Sequence, residues 1–218
     1  MKNKIILLLI LLIPSLIYFF FELTQANFNK LPHFGPKQVN ARDAKDTIYY
    51  SVPPLYYKIR NGDSLEISAK QYPIYAILFI DEANRVDNYK LRGLLEYAQL
   101  KKKDVEKIPL FIVGKYDETK DNLILPDYLD SLKINENNVQ QLLCPSKKFE
   151  AYRNYYLNQK PYYIMNHFII LVDNKRCVRG YYDGNYVAEV KRLKEEYEHL
   201  KLRDEHNRME EKEKIEQR

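Results

Sequence analysis

Apolar and polar positions fall into blocks along the chain, and each block predicts an element. Residues 5–21 form an apolar run behind Lys2 and Lys4. As a helix it would rise about 25 Å, close to the short limit for crossing a bilayer. Residues 1–26 therefore read as an uncleaved membrane anchor. The rival reading is a cleaved signal peptide, whose apolar region runs to about 7 to 15 residues and ends in small residues. Here Phe19, Phe20, Phe21 and Glu22 follow the run, and only Thr24 and Ala26 have the spacing of a cleavage site. The two leading lysines place the amino terminus in the cytoplasm and the rest of the chain on the outer, periplasmic side of the cell membrane. Residues 27–45 carry Pro32, Gly35 and Pro36 among polar residues without periodicity, the pattern of a linker.

From Asp46 the pattern is that of one folded domain, 46–202. Segments 55–59 and 64–67 flank Asn61, Gly62 and Asp63, whose first two residues take the positive φ of a tight turn, so a β-hairpin is expected. Residues 74–80 are continuously apolar, as a strand covered on both faces must be. Val86 to Leu100 follows with Leu91, Leu94, Leu95 and Ala98 at helical spacing. Residues 108–113 predict a second buried strand, 126–132 a helix with Pro126 in its first turn, and 139–143 a third strand. Ser146 caps a helix through Phe149, Tyr152 and Tyr155. Residues 167–172 and 177–182 are strands around a polar turn, and Val187, Val190, Leu193, Tyr197 and Leu200 mark a last helix. The order βαβα, then a hairpin and a closing helix, predicts a thioredoxin-like mixed sheet flanked by helices, an α/β domain behind a transmembrane helix. Residues 203–218 form a charged tail with only Met209 and Ile215 apolar, too few for a coiled-coil seam, and read as a frayed helix extension or as disordered.

Composition changes this picture in two places. With 20 Tyr, 9 Phe and no Trp, tyrosine has to supply much of the core, its ring buried and its hydroxyl turned to a polar partner. The net charge of +5 is spread along the chain among Asp and Glu. The one dense basic run, Lys101 to Lys103, falls where a helix ends and cations suit its dipole. No basic stripe with interleaved aromatics exists, so nucleic acid is not an expected partner.

The stretch Phe168-Ile-Ile-Leu-Val-Asp-Asn-Lys-Arg-Cys-Val-Arg-Gly-Tyr-Tyr-Asp-Gly184, with Val190 and Leu193 after it, resembles the end of SCO/SenC proteins. Leu31 to Lys37 and Asp46 to Tyr50 resemble the membrane-proximal part of that family. Arg179 to Gly184 is the most specific portion, and it belongs to the scaffold. The resemblance implies a membrane-tethered thioredoxin fold that binds copper and assists assembly of cytochrome c oxidase. Its site is a Cys-x-x-x-Cys pair after the first central strand, joined by a distant histidine, a soft ligand set suited to Cu(I) and capable of disulfide exchange. In this chain the two cysteine positions fall near Asn84 and Asn88, and the histidine aligns with Met165. His167 lies two residues later, on the same face of a strand, and is the one weak metal candidate. It reads more simply as a core or edge histidine.

The remaining chemistry is sparse. Cys144 and Cys177 lie on different predicted elements, and three readings stay open: structural free thiols, a disulfide, which is allowed outside the cytoplasm, or a relocated metal site. Asp81, Glu82 and Asp87 crowd the loop after the first central strand, either as oxygen ligands for a hard cation or, more simply, as acids at a helix start. No cofactor is expected, with copper as the alternative. The expected function, in preference to a copper-binding or thiol-redox protein that assists cytochrome c oxidase assembly through unconventional ligands, is a non-catalytic binding or assembly module at the cell envelope. It is held to the membrane by residues 5–21 and meets another envelope protein through Asp81, Glu82, Asp87, Tyr89 and the neighbouring start of the His167 strand.

Overall fold

The computed structural model describes residues 12–16, 31–39, 47–58, 64–66, 71–80, 91–116, 139–157, 160 and 168–216. The chain divides into two compact units, Met1–Pro32 and His33–Arg218. In the first unit residues 12–16 are helical, and the rest of the apolar run lies outside the described residues. Among the described residues no helix is long and apolar enough to cross a membrane.

The second unit is built on a seven-stranded sheet. β1 (Lys37–Val39) and β2 (Thr47–Tyr49) form a separate antiparallel ribbon. β3 (Tyr56–Lys58) and β4 (Ser64–Glu66) make the expected hairpin, its turn lying outside the described residues. β5 (Tyr75–Ile80) leads through α1 (Arg92–Leu100) and the short α2 (Lys102–Val105) to β6 (Leu110–Tyr116). β7 (Val139–Pro145) runs directly into α3 (Ser146–Leu157). The chain closes with β8 (Phe168–Val172), β9 (Val178–Asp183) and α4 (Val187–Glu216). The order across the sheet is β4-β3-β7-β6-β5-β8-β9. β5 is parallel to β6 and antiparallel to β8, and β8 is antiparallel to β9. A βαβ unit joined side by side to a ββα unit is the thioredoxin-like arrangement, and the fold is an α/β domain of that type.

β5 can lie inside the sheet, between β6 and β8, because every one of its six residues is apolar or aromatic, and all six are buried. Alternate side chains serve opposite faces. Tyr75, Ile77 and Phe79 join Phe111, Val113, Phe149 and Tyr156 in a core beneath α3, while α1 and α4 pack together on the other side. The tyrosines behave as the composition requires. Tyr75 and Tyr156 share a hydrogen bond of 3.2 Å between buried hydroxyls, Tyr181 donates to the Tyr156 carbonyl at 2.6 Å, and Tyr182 donates to Glu196 on α4.

One stretch differs from the sequence reading, and a second is decided between the two readings left open for it. Part of the expected linker is strand β1, and the segment around it is bound to the β8–β9 hairpin: Phe34 N–H donates to the Val178 carbonyl and Val52 N–H to that of Arg176. Phe34 also meets the Tyr181 ring edge-on, with centroids 5.0 Å apart. Gly35, at φ 111°, passes where a Cβ would fall 2.5 Å from that of Tyr50. Second, of the two readings of the charged tail the helix extension is the one observed, since α4 continues to Glu216. Ion pairs one turn apart sustain it, among them Arg208 to Asp204 at 2.7 Å and Lys214 to Glu210 at 3.9 Å. The predicted helix 126–132 and residues 86–90 of the first predicted helix lie outside the described residues.

Candidate functional site

The resemblance points to the end of the sheet where β5 finishes. Tyr75 pairs with Val172 and Ile77 with Ile170, so the chain leaves β5 after Ile80 and comes into β8 at Phe168 on that same end. Asp81, Glu82, Asn84, Asp87, Asn88 and Tyr89 follow the one, and Met165 and His167 precede the other. All eight lie outside the described residues. Their donor types are nevertheless fixed by the sequence: amides and carboxylates stand where two thiolates would be needed. Hard oxygen donors with one imidazole do not fit Cu(I).

The two cysteines cannot replace that pair. Cys144 is on β7 and Cys177 immediately precedes β9, and the strand order puts β6, β5 and β8 between them. Four strand spacings amount to about 19 Å, well beyond the reach of a disulfide. Both thiols are free and buried, and burial pushes each up to about 11. A thiol held protonated is a poor nucleophile and a poor redox partner.

The described residues place a polar cluster at the opposite end of the sheet, in the turn from β8 to β9. Asp173 ends the apolar run of β8 and is buried with Arg179 of β9. Arg179 Nη1 donates to Asp173 Oδ2 at 3.0 Å. The backbone N–H groups of Lys175 and Cys177 both donate to Oδ1 at 2.9 Å. Those two bonds shape the turn, and they let Arg176 sit at φ 60°. His33 reaches the cluster from the segment before β1, its ring stacked on Tyr49 of β2 with centroids 3.8 Å apart and planes at 17°. The middle of α4 completes the surroundings: Asn174 donates to Asp204, and Arg203 lies one residue before. Between the ribbon, the turn and α4 opens a cleft of about 610 Å³ lined by His33, Tyr49, Asp173, Lys175, Arg179 and Arg203, with Ile48, Ile74 and Leu200 as its apolar wall.

His33 is held near pKa 4 instead of 6.5, first by burial and then by the charges of Arg179, Arg203 and Lys37, with Asp173 opposing them. The folded pKa is the lower one, so as pH falls the unfolded chain takes up this proton first. The contribution is intact above about pH 6.5 and is lost as pH falls through 4. Unfolding curves at pH 7 and pH 4.5 are expected to show a smaller loss in His33→Gln than in the unaltered chain; an equal loss would assign the acid sensitivity to other groups.

Little in the sequence points to this cluster, because its members sit in segments read as linker, scaffold and tail. One signal was present: Arg179 is a charge inside the otherwise apolar strand 177–182, and a buried charge needs a partner.

No protein-family profile matches the chain, and no curated protein matches it in sequence. Among solved structures it is similar to the thioredoxin domain of a thiol-disulfide oxidoreductase from Bacteroides vulgatus, at 14% identity over 66% of this chain and 95% of that one, with a TM-score of 0.43. It is similar to a SCO1/SenC family lipoprotein from Bacillus anthracis at 12% identity over 69% and 95%, TM-score 0.44. The soluble domain of Sco1 from Bacillus subtilis is likewise similar, at 14% identity over 66% and 92%, TM-score 0.43.

Proposed function

We propose that this chain is a membrane-anchored, SCO-like thioredoxin-fold protein that works by contact, as a non-catalytic binding or assembly module at the cell envelope. The observation that carries the reading is the disposition of the thiols. No cysteine stands between Ile80 and Leu91, where the resemblance calls for two, and the two that exist are buried far apart, one on β7 and one just before β9. Dithiol exchange needs neighbouring, ionisable sulfurs, and Cu(I) transfer needs soft ligands at an accessible edge. Neither condition is met by this donor set. The apolar run 5–21 is the proposed tether. The loop after β5, with Asp81, Glu82, Asp87 and Tyr89, is the proposed partner face, since it leaves the sheet at the end where this fold presents its working surface.

The test has two arms on the full-length chain in a non-ionic detergent. Offered Cu(I) against a strong chelator, the chain should retain no stoichiometric copper; one tight equivalent, lost in His167→Ala, would instead make it a copper protein with unconventional ligands. Affinity purification from native membranes should recover an envelope protein that is absent when Asp81→Lys, Glu82→Lys and Asp87→Lys are combined. Retention of every partner by that variant moves the binding face elsewhere.

A further inference from the structure

The cleft beside the β8–β9 turn lies at the far end of the sheet from the loop after β5, and it has a charge imbalance of its own. Each of its carboxylates is committed. Asp173 accepts from Arg179 and from two backbone N–H groups, and Asp204 accepts from Asn174 and pairs with Arg208 at 2.7 Å. Two lining cations remain. Lys175 is exposed at the rim. Arg203 is half-buried in the wall, with no hydrogen-bond or ion-pair partner among the described residues. Lys37 adds a third positive charge close by, with its ammonium 5.8 Å from the centroid of the Tyr49 ring.

We infer that this cleft binds a small organic anion, a carboxylate or phosphate group carried on an apolar body, with the Arg203 guanidinium as its main contact. Arg203 follows Leu200 by one helical turn, so the cation and the apolar wall stand on the same face of α4, and Ile48 and Ile74 extend that wall. A guanidinium offers a planar fork of donors that matches a carboxylate or phosphate. Burial and the nearby Arg179 charge press Arg203 toward losing its proton, with the Asp173 and Asp204 charges opposing them, and an anion would relieve the stress that remains. A metal is the competing occupant, because His33, Asp173 and Cys177 bring one ligand atom each within 4.8 Å of one another. The local field argues against it. Asp173 already spends both oxygens on donors, the Cys177 thiol is pushed up to about 11, and the cations that hold His33 neutral repel a metal ion equally.

The experiment titrates the full-length chain in a non-ionic detergent with phenyl phosphate and with benzoate, followed by calorimetry. Saturable binding of at least one of them is expected, weakening as sodium chloride is added. Arg203→Gln should weaken it by about tenfold or more, while Lys201→Gln, which removes the same charge from an exposed position on α4, should leave it nearly unchanged. The far-UV dichroism of both variants serves as the check on folding. The inference is overturned if neither anion saturates, if Arg203→Gln binds as tightly as the unaltered chain, or if Lys201→Gln weakens binding as much as Arg203→Gln. It is equally overturned if Zn(II) binds with one tight equivalent that Cys177→Ser abolishes.

Discussion

Arg179→Leu is expected to cost about 3–5 kcal/mol of folding stability, read from the urea midpoint of the full-length chain. The pair it breaks is among the most enclosed polar features described: the side chains of Arg179 and Asp173 are 2% and 7% exposed and 3.0 Å apart. Leucine would fill part of the space but would leave Asp173 Oδ2 without its guanidinium, in a turn already closed on the Oδ1 side by Lys175 and Cys177. The penalty comes from the uncompensated charge, not from a favourable net worth of the pair. Combining Arg179→Leu with Asp173→Asn should therefore cost clearly less than the sum of the two single changes, with a coupling of about 0.5–3 kcal/mol. Strict additivity, or a loss below about 1 kcal/mol for Arg179→Leu, would mean that the carboxylate finds other solvation and that the pair does not organise the turn.

The same pair separates what the sequence could disclose from what it could not. Residues 74–80 were legible as a central strand because burial on both faces demands an unbroken apolar run, and β5 is that run with one residue trimmed. The hairpins were legible because turn residues punctuate them. The β1–β2 ribbon was not, since three-residue strands carry no measurable period and what holds them is remote: the carbonyls of Arg176 and Val178 and the ring of Tyr181. The continuation of α4 was legible only as one of two readings, because residues 203–218 carry too few apolar positions to mark a face; the segment is supported instead by charge pairs such as Asp204 with Arg208.

The site was legible only as an absence. Sequence showed that thiolates are missing after β5, and the candidates named there, from Asp81 to Tyr89 with Met165 and His167, fall outside the described residues. The cleft at the other end could not be foreseen, because His33, Arg179 and Arg203 come from three separate stretches that meet only when the sheet forms. What the sheet does to them follows from strand polarity. β5 and β8 are antiparallel, so a turn that ends β8 must lie beside the start of β5, and Ile74 lines the cleft for that reason. The sheet thus offers two separate ends, the one reached by the loop after β5 and the one where Lys175, Arg179 and Arg203 line a cleft.

Gly93→Ala provides the second large effect, and its sign runs against helix propensity. In an exposed helix interior this change ordinarily gains about 0.5–1 kcal/mol, because alanine restricts the unfolded chain and glycine does not. Gly93 is instead buried within α1. A Cβ there would fall 2.3 Å from the Tyr186 carbonyl carbon, 2.5 Å from the Tyr186 nitrogen and 2.6 Å from that of Val187. These are backbone atoms at the start of α4, and no side-chain rotation can clear them. The neighbouring Leu94 N–H donates to the Gly184 carbonyl at 2.9 Å, so α1 cannot back away without losing a bond that ties it to the turn before α4. Forced overpacking costs about 1–3 kcal/mol, and loss of that hydrogen bond about 1 kcal/mol more. The net expectation, after the propensity gain, is a loss of about 2–3 kcal/mol in the same urea titration. Gln99→Gly, at an exposed position of the same helix, should show the ordinary penalty of about 0.5–1 kcal/mol. A Gly93→Ala chain as stable as the parent would show that α1 and the start of α4 stand further apart than described, and the packing of the closing helix would have to be redrawn.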